Sequence, residues 1–165
     1  MIPPVAASVP CLLYTSQVIW DLRENRPESE SLAEAISGVW RRALAGQGVE
    51  GGVTVIGQPV RLAEDVERNI LRICQEATAN ALRHAKAGRI DVLLDYAKDA
   101  VIVRISDNGR GFATGDFVGI ASGHFGLAVM KERAERCGGR FRLASEPGKG
   151  TIVEAAIPIQ PTVSR

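Results

Sequence analysis

Aromatic side chains are scarce: four Phe, two Trp and two Tyr make up 5% of the 165 residues. That is thin material for a platform on which nucleic-acid bases stack. Cysteine is scarcer still. Cys11, Cys74 and Cys137 are odd in number, far apart, and form no CxxC pair. A disulfide framework and a thiolate zinc site are both excluded, and a reducing compartment fits. Neither sign of charge is in excess, with 20 Lys and Arg against 19 Asp and Glu and a net charge of +1. No general field steers such a chain onto nucleic acid or an acidic membrane surface. No apolar run approaches the roughly 18 residues of a membrane span. There is no basic start of the kind that opens a signal peptide, no GxSxG elbow, and no internal repeat. The two histidines, His84 and His124, stand forty residues apart without an evident third ligand. What remains is the composition of one soluble domain, long enough to bury its own core.

The first sixteen residues, MIPPVAASVPCLLYTS, differ from the rest. They carry three prolines in the first ten positions and show no periodicity. The hexapeptide CLLYTS is also what a common transposon adapter encodes in one frame. Residues 1–16 are therefore expected to be disordered, or an assembly scar on a truncated gene. Residues 17–28 (QVIWDLRENRPE) read as a short helix stopped near Pro27. Ser29 or Ser31 can cap a helix whose apolar side is Leu32, Ala35, Ile36, Val39, Trp40 and Leu44. Val49–Ile56 alternates as a strand, with Gly51 and Gly52 as a bulge or a weak point. Arg61 to about Lys86 reads as one long amphipathic helix. Strands follow at Arg89–Tyr96 and Ala100–Ser106, then a glycine-rich stretch over 107–124, a helix from Phe125 to Cys137, and a hairpin of Arg140–Ser145 with Thr151–Ile159. This order predicts an α+β fold: a two-layer sandwich with a mixed, mostly antiparallel sheet and helices on one face. The domain is expected over 29–160, with a tail at 161–165.

Three clusters carry chemistry. On the long helix, Val66, Ile70, Ile73, Cys74, Ala77 and Ala81 share an apolar face, with Cys74 as a core filler. Asn69, Arg72, Glu76, Asn80 and Arg83 form a polar stripe beside it. That stripe can be a solvated face. Asn80, however, is a mediocre helix former in mid-helix, and its amide oxygen is a hard ligand suited to Mg²⁺. The second cluster is Asp107-Asn108-Gly109-Arg110-Gly111-Phe112 after an apolar strand. It reads as a plain polar turn, or as a carboxylate that accepts an exocyclic amine, followed by glycines that let backbone approach a flat ring. The third, Gly123-His124-Phe125-Gly126-Leu127, opens a helix and leaves N–H groups free for an anion. Ten of the seventeen glycines lie between Gly109 and Gly150, more than an ordinary loop needs. Gly148-Lys149-Gly150-Thr151 lacks the Walker order and reads as a hairpin turn.

In order, RICQEATANALRHA (72–85), DNGRGF (107–112), GHFGLAVMKERAERCGG (123–139) and PGKGT (147–151) resemble the N box and glycine boxes of the GHKL ATPases, which have the Bergerat fold. Within that superfamily, the first and third segments resemble sensor histidine kinases that partner NarL/LuxR-type response regulators. The resemblance covers about residues 30–159. It implies ATP and Mg²⁺ as cofactors and a phosphoryl transfer to histidine. Residue by residue, it implies Glu76 as the acid that polarises the attacking group or a water and Asn80 as the magnesium ligand. Arg83 would meet the phosphates, with His84 and Lys86 as secondary contacts. Asp107 would bond the adenine amino group, above Gly109 and Gly111. Gly123 and Gly126 would cover the phosphates, and Thr151 would support the adenine site. Ala113–Ser122 corresponds to the ATP lid, and residues 18–28 to the end of a dimerisation helix.

No phosphoacceptor histidine fits, since His84 and His124 both lie inside boxes. The expected partners are therefore a separate dimerisation and phosphoacceptor domain and a response regulator. The full-length parent is expected to be a homodimer, membrane-anchored or not, and this chain a cytoplasmic monomer without nucleic-acid or membrane contact. Three other readings carry some of the same boxes: an anti-sigma-type serine kinase, a gyrase- or chaperone-type ATPase, and a non-catalytic nucleotide-binding module.

Overall fold

Ser31 begins the first helix with a reciprocal cap. Its side chain accepts the Glu34 N–H at 3.2 Å, and the Glu34 carboxylate accepts the Ser31 N–H at 2.7 Å. The computed structural model describes residues 30–113 and 125–159. The expectations for residues 1–29, for most of the 107–124 stretch and for the tail lie outside the described residues.

One compact unit runs from Ser31 onward. Helix α1 spans Leu32–Leu44, and strand β1 spans Glu50–Gly57. Helix α2 spans Glu64–Asn80 and widens into a π-helical turn over Ala81–Ala85. Strands β2 (Arg89–Tyr96) and β3 (Ala100–Asp107) follow. Helix α3 spans Phe125–Arg136, and β4 (Arg140–Ser145) and β5 (Thr151–Pro158) close the order.

The five strands form one sheet in the order β1-β2-β3-β5-β4. Only β1 and β2 pair in parallel; the other three pairings are antiparallel. Alternation puts one residue in two on each face. Rows of cross-strand neighbours then form the buried face: Val92–Ile105–Val153, Leu94–Val103–Ala155 and Tyr96–Val101–Ile157. All nine are buried, while Arg104 and Glu154 on the opposite face form an exposed ion pair. Onto the apolar face pack Ile36 of α1, Ile70 and Ile73 of α2 and Met130 of α3, each essentially inaccessible to water. Each such side chain contributes roughly 1.5–3 kcal/mol of burial. The fold is α+β, a mixed sheet with helices on one side.

Three local expectations need correction. The long helix starts at Glu64: Arg61-Leu62-Ala63 has no regular structure, and extended Ala63 caps the helix without a side-chain bond. Its α geometry also ends at Asn80. The π turn that follows is closed by Lys86 in the left-handed region at φ 51°. Gly51 and Gly52 make no bulge, since the β1–β2 register is unbroken from Glu50 to Gly57. Gly51 meets a different demand: a Cβ there would lie 1.8 Å from the Ile90 carbonyl oxygen.

Candidate functional site

The apolar face of the sheet ends in a polar row. Ile90, Asp107 and Thr151 are cross-strand neighbours, so strand alternation turns the Asp107 and Thr151 side chains toward the helices, one row beyond Ile105 and Val153. Asp107 is half-buried there. It accepts the Gly109 N–H at 2.8 Å and the Thr151 N–H. Burial raises its carboxyl above the ordinary aspartate value, and these two backbone donors only partly offset the rise.

Helix α2 approaches the same row from above. A cavity of about 230 Å³ lies between them, somewhat below the roughly 300–1,000 Å³ of typical small-molecule clefts. Asn80 and His84 line it from α2 and its π turn, Asp107 and Thr151 from the sheet, and Arg110 from the loop after β3. Ala77, Ala81, Ile105, Leu127 and Val153 supply the apolar part of the wall. The Asn80 amide and the Asp107 carboxylate therefore belong to one cavity, although 27 residues separate them in the chain.

The start of α3 closes one end. Gly126 lines the cavity, and a Cβ on it would lie 2.2 Å from Glu76 Oε1 and 3.3 Å from Asn80 Nδ2. The missing side chain is thus what lets the helix start sit against the acid and the amide. Glu76 stands behind Gly126 rather than in the wall. Gly111 lines the cavity at φ +58°, a conformation glycine adopts readily, and a Cβ there would meet the Glu146 carbonyl at 2.0 Å.

Other expected site residues stand apart. Gly109 is set back from the wall, packed so that a Cβ would lie 2.4 Å from Ala85. Protein, not open space, fills the room its missing side chain leaves. Arg83 is exposed, donates from Nε to the Ala79 carbonyl at 3.3 Å, and does not line the cavity. Lys86 is exposed at the left-handed end of the π turn and is also off the wall. Gly123 and His124 lie outside the described residues, as does most of the expected lid.

Two residues that hold the site were not singled out from the sequence. The Asn108 side-chain oxygen accepts the N–H groups of Gly88 and Arg89 at 2.9 and 2.8 Å, latching the start of β2 to the residue that follows β3. Ser145, buried at the end of β4, accepts the Phe112 N–H at 2.9 Å, donates to the Gly150 carbonyl at 3.0 Å, and lies 3.0 Å from the Thr151 hydroxyl. An Asn next to a turn is a weak signal for the first; nothing local marks the second. The polar stripe of α2 divides along its length. Asn69 accepts from Arg133 of α3 at 3.3 Å, and Arg72 bonds Gln75, so that end has a packing role. Cys74 is a core residue with its thiol pushed up to about 12 by burial.

Residues 65–161 match the family described as histidine kinase-, DNA gyrase B- and HSP90-like ATPases. The chain belongs to this family. Among relatives of this ATPase domain, the sensor histidine kinase LiaS of Bacillus subtilis is 36% identical over 104 residues, covering 63% of this chain and 28% of LiaS. The histidine-protein kinase/phosphatase DegS of Brevibacillus brevis is 32% identical over 148 residues, 90% of this chain and 38% of DegS. The sensor protein VraS of Staphylococcus saprophyticus is 35% identical over 99 residues, 60% of this chain and 28% of VraS. The chain thus spans roughly a third of the length of these relatives.

Membership of this ATPase family implies ATP, and the wall suits it. A carboxylate fixed by two backbone donors keeps acceptor capacity for an amine, an apolar surface takes a flat ring, and the Asn80 amide lines the same cavity. The donor set also fits Mg²⁺. Among the described residues no three His, Cys, Asp or Glu gather into a metal cage. A single amide oxygen beside a carboxylate is the partial set that suits Mg²⁺ held jointly with phosphate oxygens and water. Among the described residues, no helix is long and apolar enough to cross a membrane.

Proposed function

We propose that this chain is the ATP-binding catalytic part of a two-component sensor histidine kinase. Its task is to present the γ-phosphoryl group to a histidine on a separate dimerisation domain. The observation that carries the proposal is the pairing of Asn80 and Asp107 across one apolar-walled cavity, with Glu76 against the helix start that closes it.

In this reading Asp107 accepts the adenine amino group, and Thr151 holds Asp107 through its backbone N–H. Gly111 forms part of the surface under the ring, and Gly126 clears the space over the phosphates. Gly109 lets the loop close on Ala85, and Gly123 continues the phosphate cover. Asn80 holds Mg²⁺, which neutralises phosphate charge when bound. Glu76 polarises the incoming imidazole, and its carboxylate offsets the positive charge the ring acquires as Nε2 attacks, until the Nδ1 proton is lost to solvent. A P–N bond forms, the bond from the γ-phosphorus to the β,γ-bridging oxygen breaks, and ADP leaves. Phosphoryl transfer of this kind asks the protein for positioning and charge neutralisation rather than covalent chemistry. His84 reaches the nucleotide from the wall, whereas Arg83 and Lys86 would have to swing in from outside it.

The phosphorylated histidine would then supply an aspartate on a response regulator. QEATANALRHA and GLAVMKERAERCGG support a regulator of the NarL/LuxR type, a homodimeric parent and a cytoplasmic site of action. The sensor kinases among the relatives favour histidine over serine as the acceptor.

The test mixes the chain with labelled ATP, Mg²⁺ and a separately supplied dimerisation helix carrying its histidine. Label should appear on that helix as acid-labile phosphate. Asn80→Asp should abolish transfer or shift its Mg²⁺ dependence. Undiminished transfer by Asn80→Asp removes the metal role, and label on a serine overturns the kinase class.

A further inference from the structure

Arg110 has no part in the roles above, yet its backbone is held on both sides. Its N–H donates to the Ala85 carbonyl at 2.8 Å, and its carbonyl accepts the Gly148 N–H at 2.6 Å. The flanking residues are wedged as well: side chains at 109 or 111 would collide with Ala85 or with Glu146. The Cα of Arg110 is therefore pinned between the π turn and the β4–β5 turn.

Its side chain is exposed and lines the cavity. Among the described residues it has no carboxylate partner within salt-bridge distance, whereas Arg68, Arg89 and Arg104 each have one. Arg83, on the neighbouring turn, donates to its own helix. Among the described residues, the only carboxylate in the wall is Asp107, which already accepts from two backbone N–H groups. The wall thus carries a guanidinium rooted in fixed backbone and, among the described residues, left without a counterion. His84 lines the same cavity, and the backbone of Arg110 bonds the residue next to it, Ala85.

We propose that Arg110 grips the phosphate chain of the bound nucleotide, as the resident cation of the wall in place of Arg83 and Lys86. This rests on the ATP-binding reading above. A guanidinium offers a planar fork that matches two phosphate oxygens at once, and its backbone anchorage reduces the freedom lost on binding. The contact selects for the anionic part of the ligand. It adds little for a nucleoside.

The experiment is calorimetric titration of the chain with ADP and with adenosine, in Mg²⁺, for wild type, Arg110→Gln, Arg110→Lys and Asp107→Asn. Arg110→Gln should weaken ADP binding about tenfold, the loss expected when a charged hydrogen bond is removed, and leave adenosine within twofold. Arg110→Lys should fall between. Raising the salt should weaken ADP binding less in Arg110→Gln than in wild type. Thermal melts of Arg110→Gln should overlay wild type, since both backbone bonds remain. Unchanged ADP affinity overturns the proposal, and so does an equal loss for ADP and adenosine, which would mean stacking on the ring. Asp107→Asn should lose both ligands. If it does while Arg110→Gln changes nothing, the ATP reading stands and only the role of Arg110 falls. If wild type binds neither ligand, both fall.

Discussion

A methyl group on Gly126 would lie 2.2 Å from Oε1 of Glu76, so the start of α3 and the acid of α2 occupy touching positions. Gly126→Ala should push the carboxylate aside. The fold should tolerate this, because a carboxylate end can move and alanine is the better helix former by about 1 kcal/mol. The expected outcome is a melting temperature within a few degrees of wild type and at least about a tenfold loss of phosphoryl transfer, the scale of a misplaced catalytic group. Retained transfer would show that Glu76 is not where the chemistry needs it.

Asp107 is predicted to oppose stability in the empty protein. Burial raises its carboxyl, so the folded chain holds that proton more tightly than the unfolded chain does. Stability then falls as pH rises from the unfolded aspartate value, about 3.9, through the folded one, and the full cost is present above both. Asp107→Asn removes the charge and keeps an acceptor for Gly109 and Thr151. It should melt at or above wild type at pH 7, with the gain shrinking below about pH 4, and it should lose nucleotide binding. Melts at the two pH values, beside a nucleotide titration, check both halves.

Asn108→Ala should destabilise the fold by about 1–3 kcal/mol, because two backbone N–H groups lose their acceptor at once. Asn108→Asp keeps an acceptor oxygen and should cost less. Urea denaturation of the pair separates a lost latch from a general effect of substitution.

Ser145→Ala should cost a similar amount and also weaken nucleotide binding. Its hydroxyl ties Phe112 and Gly150 together and touches Thr151, on the edge of the cavity. Unaltered binding in a destabilised variant would confine Ser145 to the fold.

The strands Arg89–Tyr96 and Arg140–Ser145 were legible to the residue because alternation of apolar and polar side chains is a local property. The buried face of α2 was legible for the same reason: Ile70, Ile73, Cys74, Ala77 and Ala81 are all buried. The π turn was not, since Ala-Leu-Arg-His-Ala has the propensities of an ordinary α-helix. Of the two expectations for Gly51, a bulge or a weak point, the bulge does not occur, because its reason for being glycine is the carbonyl of Ile90, thirty-nine residues away. Of the motif residues, Asn80, Asp107, Gly126 and Thr151 are set by the structure around one cavity. The resemblance alone implies Arg83 and Lys86 near the phosphates, and where these side chains sit depends on a π turn the sequence hides. Ser145 shows no signal at all, because its partners lie on two other segments.

The strand made last among those described does not join the sheet at its rim. β5 lies between β3 and β4, and it brings Thr151 and Val153 to the cavity. During synthesis, therefore, β3 must wait with one backbone edge unpaired until residue 158 has left the ribosome, and a half-made chain has no ring-sized hollow to fill. Nucleotide in the cell can thus reward only finished copies of this domain, and chains interrupted before the final hairpin are left with an open edge for proteases and chaperones to find.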